Sequence, residues 1–176
     1  VPDFHPVIIE HMRQSYYGDI RYLHLGFRGC AKTSLTKLFL TFVILNDRTL
    51  TRKYIKVMTR NMGNARQLVT DVYNNIVTLK ELYGDIFVKE GDKKREETMG
   101  AFTTVDQRKV LAGTIGVTQR GHLQDAYRPD WIIFDDVEDR ESIQSLAQTE
   151  ATINRIDEAI SGLSADGSWM CNGNYI

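Results

Sequence analysis

The sequence predicts an α/β domain in which a mostly parallel central sheet carries helices on both faces. Three observations lead there. Short β-type runs alternate with longer segments whose apolar residues recur every three or four positions. A glycine-rich turn joins the first such run to the first long helical pattern, and a continuous apolar run, Trp131-Ile132-Ile133-Phe134, ends abruptly in acids, as a buried parallel strand does.

The elements follow in order. Residues 21–25 alternate into a strand, and over 32–45 Leu35, Leu38, Phe39, Phe42 and Val43 fall at helical spacing. Residues 54–58 read as a second strand. Asn61 can cap the helix that follows, in which Ala65, Leu68, Val69, Val72, Ile76 and Leu79 recur on one side. The charged stretch 89–97 reads as an exposed connection, and 101–105 and 109–112 as short strands. A helix over 146–163 and a strand over 169–171 complete the alternation, and Asn174-Tyr175-Ile176 resembles the end of a buried strand, from which a parent protein continuing past Ile176 is expected.

Bulk properties narrow the function without naming it. The 176 residues suit a single domain over 1–176, and 42% hydrophobic with 26% charged residues is ordinary globular composition. A net charge of -1 gives no global signature of nucleic-acid binding, although local basic patches remain compatible with it. Cys30 and Cys171 form neither a metal pattern nor a disulfide framework, which suits a reducing, cytoplasmic setting. No apolar stretch approaches the roughly 18 residues of a membrane span. His11, His24 and His122 lack ligand partners at metal-binding spacing and are read as structural.

The strongest local signal is Gly26-Phe27-Arg28-Gly29-Cys30-Ala31-Lys32-Thr33, followed by Ser34. It matches the phosphate-binding P-loop, Gly, four residues, Gly, Lys, Ser/Thr, with Ala31 in place of the second glycine. Inward-pointing backbone N–H groups in such a turn cradle phosphate oxygens, and the helix after it adds its positive N-terminus. Lys32 would reach the β- and γ-phosphates of ATP, and the Thr33 hydroxyl would ligate Mg2+. Ala31 fits such a loop provided that its φ stays negative.

The second signal is Asp135-Asp136-Val137-Glu138, directly after the apolar run. A buried strand delivers an acid to its C-terminal edge, where open α/β sheets bind ligands. Asp135 is assigned to the magnesium shell, and either Asp136 or Glu138 to polarising the attacking water. Two half-motifs in this order, each at a strand end, specify an ATP site.

With both placed, the chain resembles the ATPase domain of the large terminase subunit of tailed bacteriophages. The resemblance rests on Arg28 inside the loop, on Thr59-Arg60-Asn61 after the second strand, on Gln119-Arg120-Gly121 followed by Arg128-Pro129-Asp130, and on Asn172-Gly173-Asn174 after the last strand. His5-Pro6 and the helix after it resemble the segment that borders adenine in that family. The resemblance implies a P-loop NTPase of the additional-strand, catalytic-glutamate type that hydrolyses Mg-ATP to push double-stranded viral DNA into a procapsid. It further implies a homo-oligomeric ring, a portal protein and a small terminase subunit as partners, and the cytoplasm of the infected bacterial host as the location. The nuclease domain that full-length members carry has no counterpart in these residues. Asn172 would sense nucleotide, and the arginine finger would be Arg120, acting in trans, or Arg28, acting in cis. Arg48, Arg52, Lys53, Lys56, Arg60 and Arg66 are read as a solvated basic face. The alternative is a P-loop helicase or another nucleic-acid translocase, and a non-motor nucleotide switch is the third class.

Overall fold

The computed structural model describes residues 2–18, 20–87, 100–115, 128–138 and 145–174. The elements are α1 (Phe4–Tyr17), β1 (Tyr22–Gly26), α2 (Lys32–Asn46), β2 (Tyr54–Thr59), α3 (Met62–Thr78), α4 (Lys80–Tyr83), β3 (Ala101–Thr103), β4 (Lys109–Thr114), β5 (Trp131–Asp135), α5 (Leu146–Ser161) and β6 (Ser168–Asn174). They build a six-stranded sheet in the order β1-β6-β5-β2-β4-β3. Every pairing is parallel except β3 with β4. The sheet therefore matches the predicted class, and β6 is the strand inserted between the loop-bearing β1 and the acid-bearing β5.

The pattern of apolar residues explains the layering. Strand β5 is buried along its whole length, so both of its faces need cover. On one face Trp131 and Ile133 join Met12 and Tyr16 of α1, Leu35, Phe39 and Val43 of α2, and Leu68, Val69, Val72 and Ile76 of α3. On the other, Ile132 and Phe134 pack with Met58, Val137, Cys171 and, from α5, Ala159. Asn61 caps α3 as expected: its Oδ1 accepts from the Gly63 N–H at 2.7 Å. Pro6 sits in the first turn of α1, where a missing N–H costs nothing. Helix α2 differs from the simple periodic reading, because Leu38 and Phe42 lie 62% and 56% exposed while Leu35, Phe39 and Val43 turn inward.

One arginine corrects the sequence reading, and a second has a role that the sequence does not show. Arg52, expected on a solvated basic face, is 5% exposed. Its guanidinium donates to the carbonyls of Tyr16, Gly18 and Asp166 at 2.8, 2.8 and 2.5 Å, tying the end of α1 to the turn before β6. Arg108 is fully buried and donates to the Val43 and Asp47 carbonyls at 2.8 and 2.6 Å, closing the C-terminus of α2. Both donate to backbone carbonyls in the interior, where buried acceptors are normally hydrogen-bonded. Among the described residues no helix is long and apolar enough to cross a membrane. The charged stretch 89–97 lies outside the described residues.

Candidate nucleotide site at the C-terminal sheet edge

The tight turn between β1 and α2 depends on two glycines. A Cβ on Gly26 would lie 2.8 Å from the Cys30 sulfur and 3.4 Å from the Lys32 Nζ, so the strand exit has to be bare for the lysine to fold back over it. Gly29 turns the chain at φ 83°, a conformation that favours glycine. Ala31 overturns the expectation of a negative φ: it caps α2 at φ 64°, ψ 20°. Left-handed backbone costs an alanine about 1–2 kcal/mol, so the loop stores strain at the residue that replaces the usual glycine.

Lys32 is 6% exposed. Its ammonium donates to the carbonyls of Gly26 and Phe27 at 3.4 and 3.2 Å, to the Cys30 sulfur at 3.3 Å and to the Asn174 side-chain oxygen at 3.0 Å. Arg28, Gly29, Cys30, Ala31, Lys32, Thr33, Ser34, Asp136 and Asn174 line a cleft of about 350 Å³. A neighbouring cleft of about 500 Å³ shares Arg28, Asp136 and Asn174 and adds Arg60, Asn61, Met62, Asn64 and Glu138. Phe27 lies beside rather than inside the cleft, its ring edge-on to Phe4 at 5.7 Å. His5 reaches the same loop, its Nε2 donating to the Cys30 carbonyl at 3.2 Å.

The acidic strand end meets the loop directly. The Thr33 hydroxyl donates to Asp135 Oδ2 at 2.7 Å, joining residues 102 positions apart. Asn172 Nδ2 donates to Asp135 Oδ1 at 3.1 Å and to the Thr36 hydroxyl at 3.0 Å. Burial pushes the Asp135 carboxyl above the usual carboxylate range, and the bonds from Thr33 and Asn172 oppose that rise. Asp136 is exposed and turns through φ 47°, a strained value for aspartate. Neighbours fix it on both sides: its N–H donates to the Asn172 carbonyl and its carbonyl accepts from the Arg60 N–H, each at 3.3 Å. Its carboxylate accepts from Asn174 Nδ2 at 2.7 Å.

The structure thus unites Lys32, Thr33, Asp135 and Asp136, with Arg28 and Glu138 at the rim. It separates the two asparagines of the last strand. Asn172, selected from the sequence as the nucleotide contact, is fully buried behind Asp135, whereas Asn174 lines the cleft. Strand alternation contains that signal, since residues two apart share a face but only the outer one passes the sheet edge. Arg120 and its flanking residues lie outside the described residues. Cys30 and Cys171 are both free and buried, and burial together with Glu138 and Asp135 pushes the Cys171 thiol up to about 12.

Magnesium, which the loop-and-acid motif implies, fits the donors present. Thr33 Oγ1, which lines the cleft, and Asp135 Oδ2 are hard oxygens 2.7 Å apart, and Mg2+ takes one or two protein oxygens and completes its shell with water and phosphate. Among the described residues no group of three or more His, Cys, Asp or Glu is placed to hold a metal.

No protein-family model and no curated protein matches the chain. Solved structures do. The N-terminal domain of the DNA-packaging ATPase from bacteriophage phi29 is 18% identical over 92% of this chain, with a TM-score of 0.53. This is the fold of phage DNA-packaging ATPases. A structure titled as the phi29 viral genome packaging motor assembly gives 16% identity over 94% of the chain and a TM-score of 0.56, and the large terminase of bacteriophage HK97 gives 13% over 99% and 0.51. The chain spans 76%, 46% and 33% of those three chains respectively. At such identities the likeness is one of fold. The packaging-ATPase fold places the strand ends of β1 and β5 on one edge, which is where the cleft lies.

Proposed function

We propose that this chain is the ATPase domain of a phage DNA-packaging motor, binding Mg-ATP in the cleft between α2 and β5 and hydrolysing its terminal phosphate to drive double-stranded viral DNA into a procapsid. One observation carries this reading: the loop threonine Thr33, which lines the cleft with Lys32, Arg28 and Asp136, donates to the strand-end aspartate Asp135, and Glu138 lines the adjoining cleft. An incoming triphosphate would take the Lys32 ammonium from the loop carbonyls that now hold it. The loop backbone and the first turn of α2 would receive the β-phosphate, as helix N-termini do. Magnesium, when bound, would supply neutralisation of phosphate charge. Asp135 and Thr33 would hold it, and Asn172 would keep the Asp135 carboxylate oriented from behind. Asp136 or Glu138 would orient and deprotonate the attacking water, both being exposed at the cleft. The ring assembly, the portal and small-subunit partners and the host cytoplasm belong to the same proposal.

The test combines nucleotide binding and turnover in three variants. Lys32→Ala should abolish hydrolysis and weaken nucleotide binding with an unchanged circular dichroism spectrum. Of Asp136→Asn and Glu138→Gln, one should bind Mg-ATP yet turn over about a hundredfold more slowly or worse, which identifies the base. Normal turnover by folded Lys32→Ala would sink the assignment.

A further inference from the structure

The outer half of the cleft holds a residue that neither motif accounts for. Arg60 opens the β2–α3 turn, lines the cleft of about 500 Å³ with Asp136, Glu138, Arg28 and Asn174, and has its backbone held from both sides. Its N–H donates to the Asp136 carbonyl at 3.3 Å, and its carbonyl accepts from the Thr114 hydroxyl at 2.7 Å. The adjacent residues are fixed as well. The Thr59 carbonyl accepts from the Ile115 N–H at 3.0 Å, and the Asn61 carbonyl accepts from the Thr59 hydroxyl at 2.5 Å. A surface arginine needs no such anchoring; one whose guanidinium has to arrive at a set place does.

We infer that Arg60 is a second cis arginine of the site, contacting the terminal phosphoryl group of the nucleotide and passing its presence or loss to the start of α3. This rests on the nucleotide reading above. The charge arrangement supports it. Asp136 and Glu138 bring two carboxylates to the cleft where a γ-phosphate would add further negative charge, and Arg60 is a cation lining that same cleft beside Arg28. A guanidinium presents a planar fork of donors suited to phosphate oxygens. The route to α3 is covalent and short: Arg60 precedes Asn61, whose side chain caps α3 through Gly63. Helix α3 packs along α2, the helix that the phosphate-binding loop opens, and Lys37 of α2 pairs with Asp71 of α3 at 2.5 Å.

Affinities of this chain for Mg-ADP and for a non-hydrolysable Mg-ATP analogue, before and after Arg60→Ala and Arg60→Gln, test the inference. The wild-type chain should prefer the triphosphate. Both variants should keep the ADP affinity within about twofold and lose about tenfold or more for the triphosphate, as expected for one charged hydrogen bond to phosphate, with Arg60→Lys recovering part of the loss. Equal losses for both nucleotides, or no loss for either, would overturn the role of Arg60 while leaving the nucleotide site intact. If the wild-type chain binds neither nucleotide, the site reading and this inference fall together. Unchanged melting temperatures in Arg60→Gln separate a contact from a folding defect, and a Gln variant that unfolds would make Arg60 structural and overturn the inference.

Discussion

Lys32 and Asn174, 142 residues apart, meet at 3.0 Å, the lysine ammonium donating to the asparagine oxygen. The same asparagine amide donates to Asp136 at 2.7 Å, so one side chain bridges the phosphate-binding lysine and a candidate catalytic acid. Replacing Asn174 by Ala should leave nucleotide affinity within a few-fold and slow turnover on the order of ten- to a hundredfold, matching one charge-assisted hydrogen bond of about 1.5–3 kcal/mol. Steady-state kinetics beside equilibrium binding would show it. A purely structural asparagine would instead lower melting temperature and affinity together.

Asp135 carries opposing demands from stability and function. Burial raises its carboxyl above the ordinary value, so the folded state binds that proton more tightly than the unfolded chain. Stability should therefore increase as pH falls through the raised folded value toward the ordinary one, and decrease as pH rises through the same window. Asp135→Asn removes the buried charge. Its nucleotide-free melting temperature at neutral pH should exceed that of wild type, and the acid-side gain should vanish, while magnesium-dependent hydrolysis is lost. Thermal melts across pH check both halves, and a variant that melts below wild type at pH 7 would refute the first.

Ala31 sits in left-handed backbone at the cap of α2. Ala31→Gly releases about 1–2 kcal/mol of strain, offset by about 0.4–1 kcal/mol of added unfolded-chain entropy, for a net gain of up to about 1.6 kcal/mol. Urea denaturation should show a higher midpoint with an unchanged slope. A lower midpoint would mean that the alanine methyl packs usefully in the loop.

Arg28 lines both halves of the cleft, whereas Arg120 lies outside the described residues. If Arg120 acts in trans, full-length Arg120→Ala and Lys32→Ala proteins, each inactive, should regain activity when co-assembled. A site lacking its own finger would borrow the neighbour's, and an arginine finger contributes about 10³–10⁵ in rate. Mixed rings with no recovery would assign the finger to Arg28 in cis.

The sequence by itself determined the class of fold and the chemistry of the site. Strand period, helix period and the apolar run of β5 are local properties, and so are the residue types that a phosphate-binding turn and a metal-binding acid require. The order of the main elements, Asn61 as a cap and Asp135 at a strand end could be read that way, while β3 stops at Thr103 rather than 105 and β6 runs over Ser168–Asn174 rather than 169–171. What only the tertiary structure decided concerns pairs distant in the chain. Strand order brought β6 between β1 and β5, and this put Asn174 rather than Asn172 at the cleft. Packing buried Arg52 and Arg108 against backbone carbonyls, where the sequence shows only basic residues. Left-handed backbone at Ala31 and Asp136 is likewise visible only in the folded chain. Each is a non-local balance of hydrogen bonding and desolvation, set by which groups share a buried space, and a linear pattern carries no term for it.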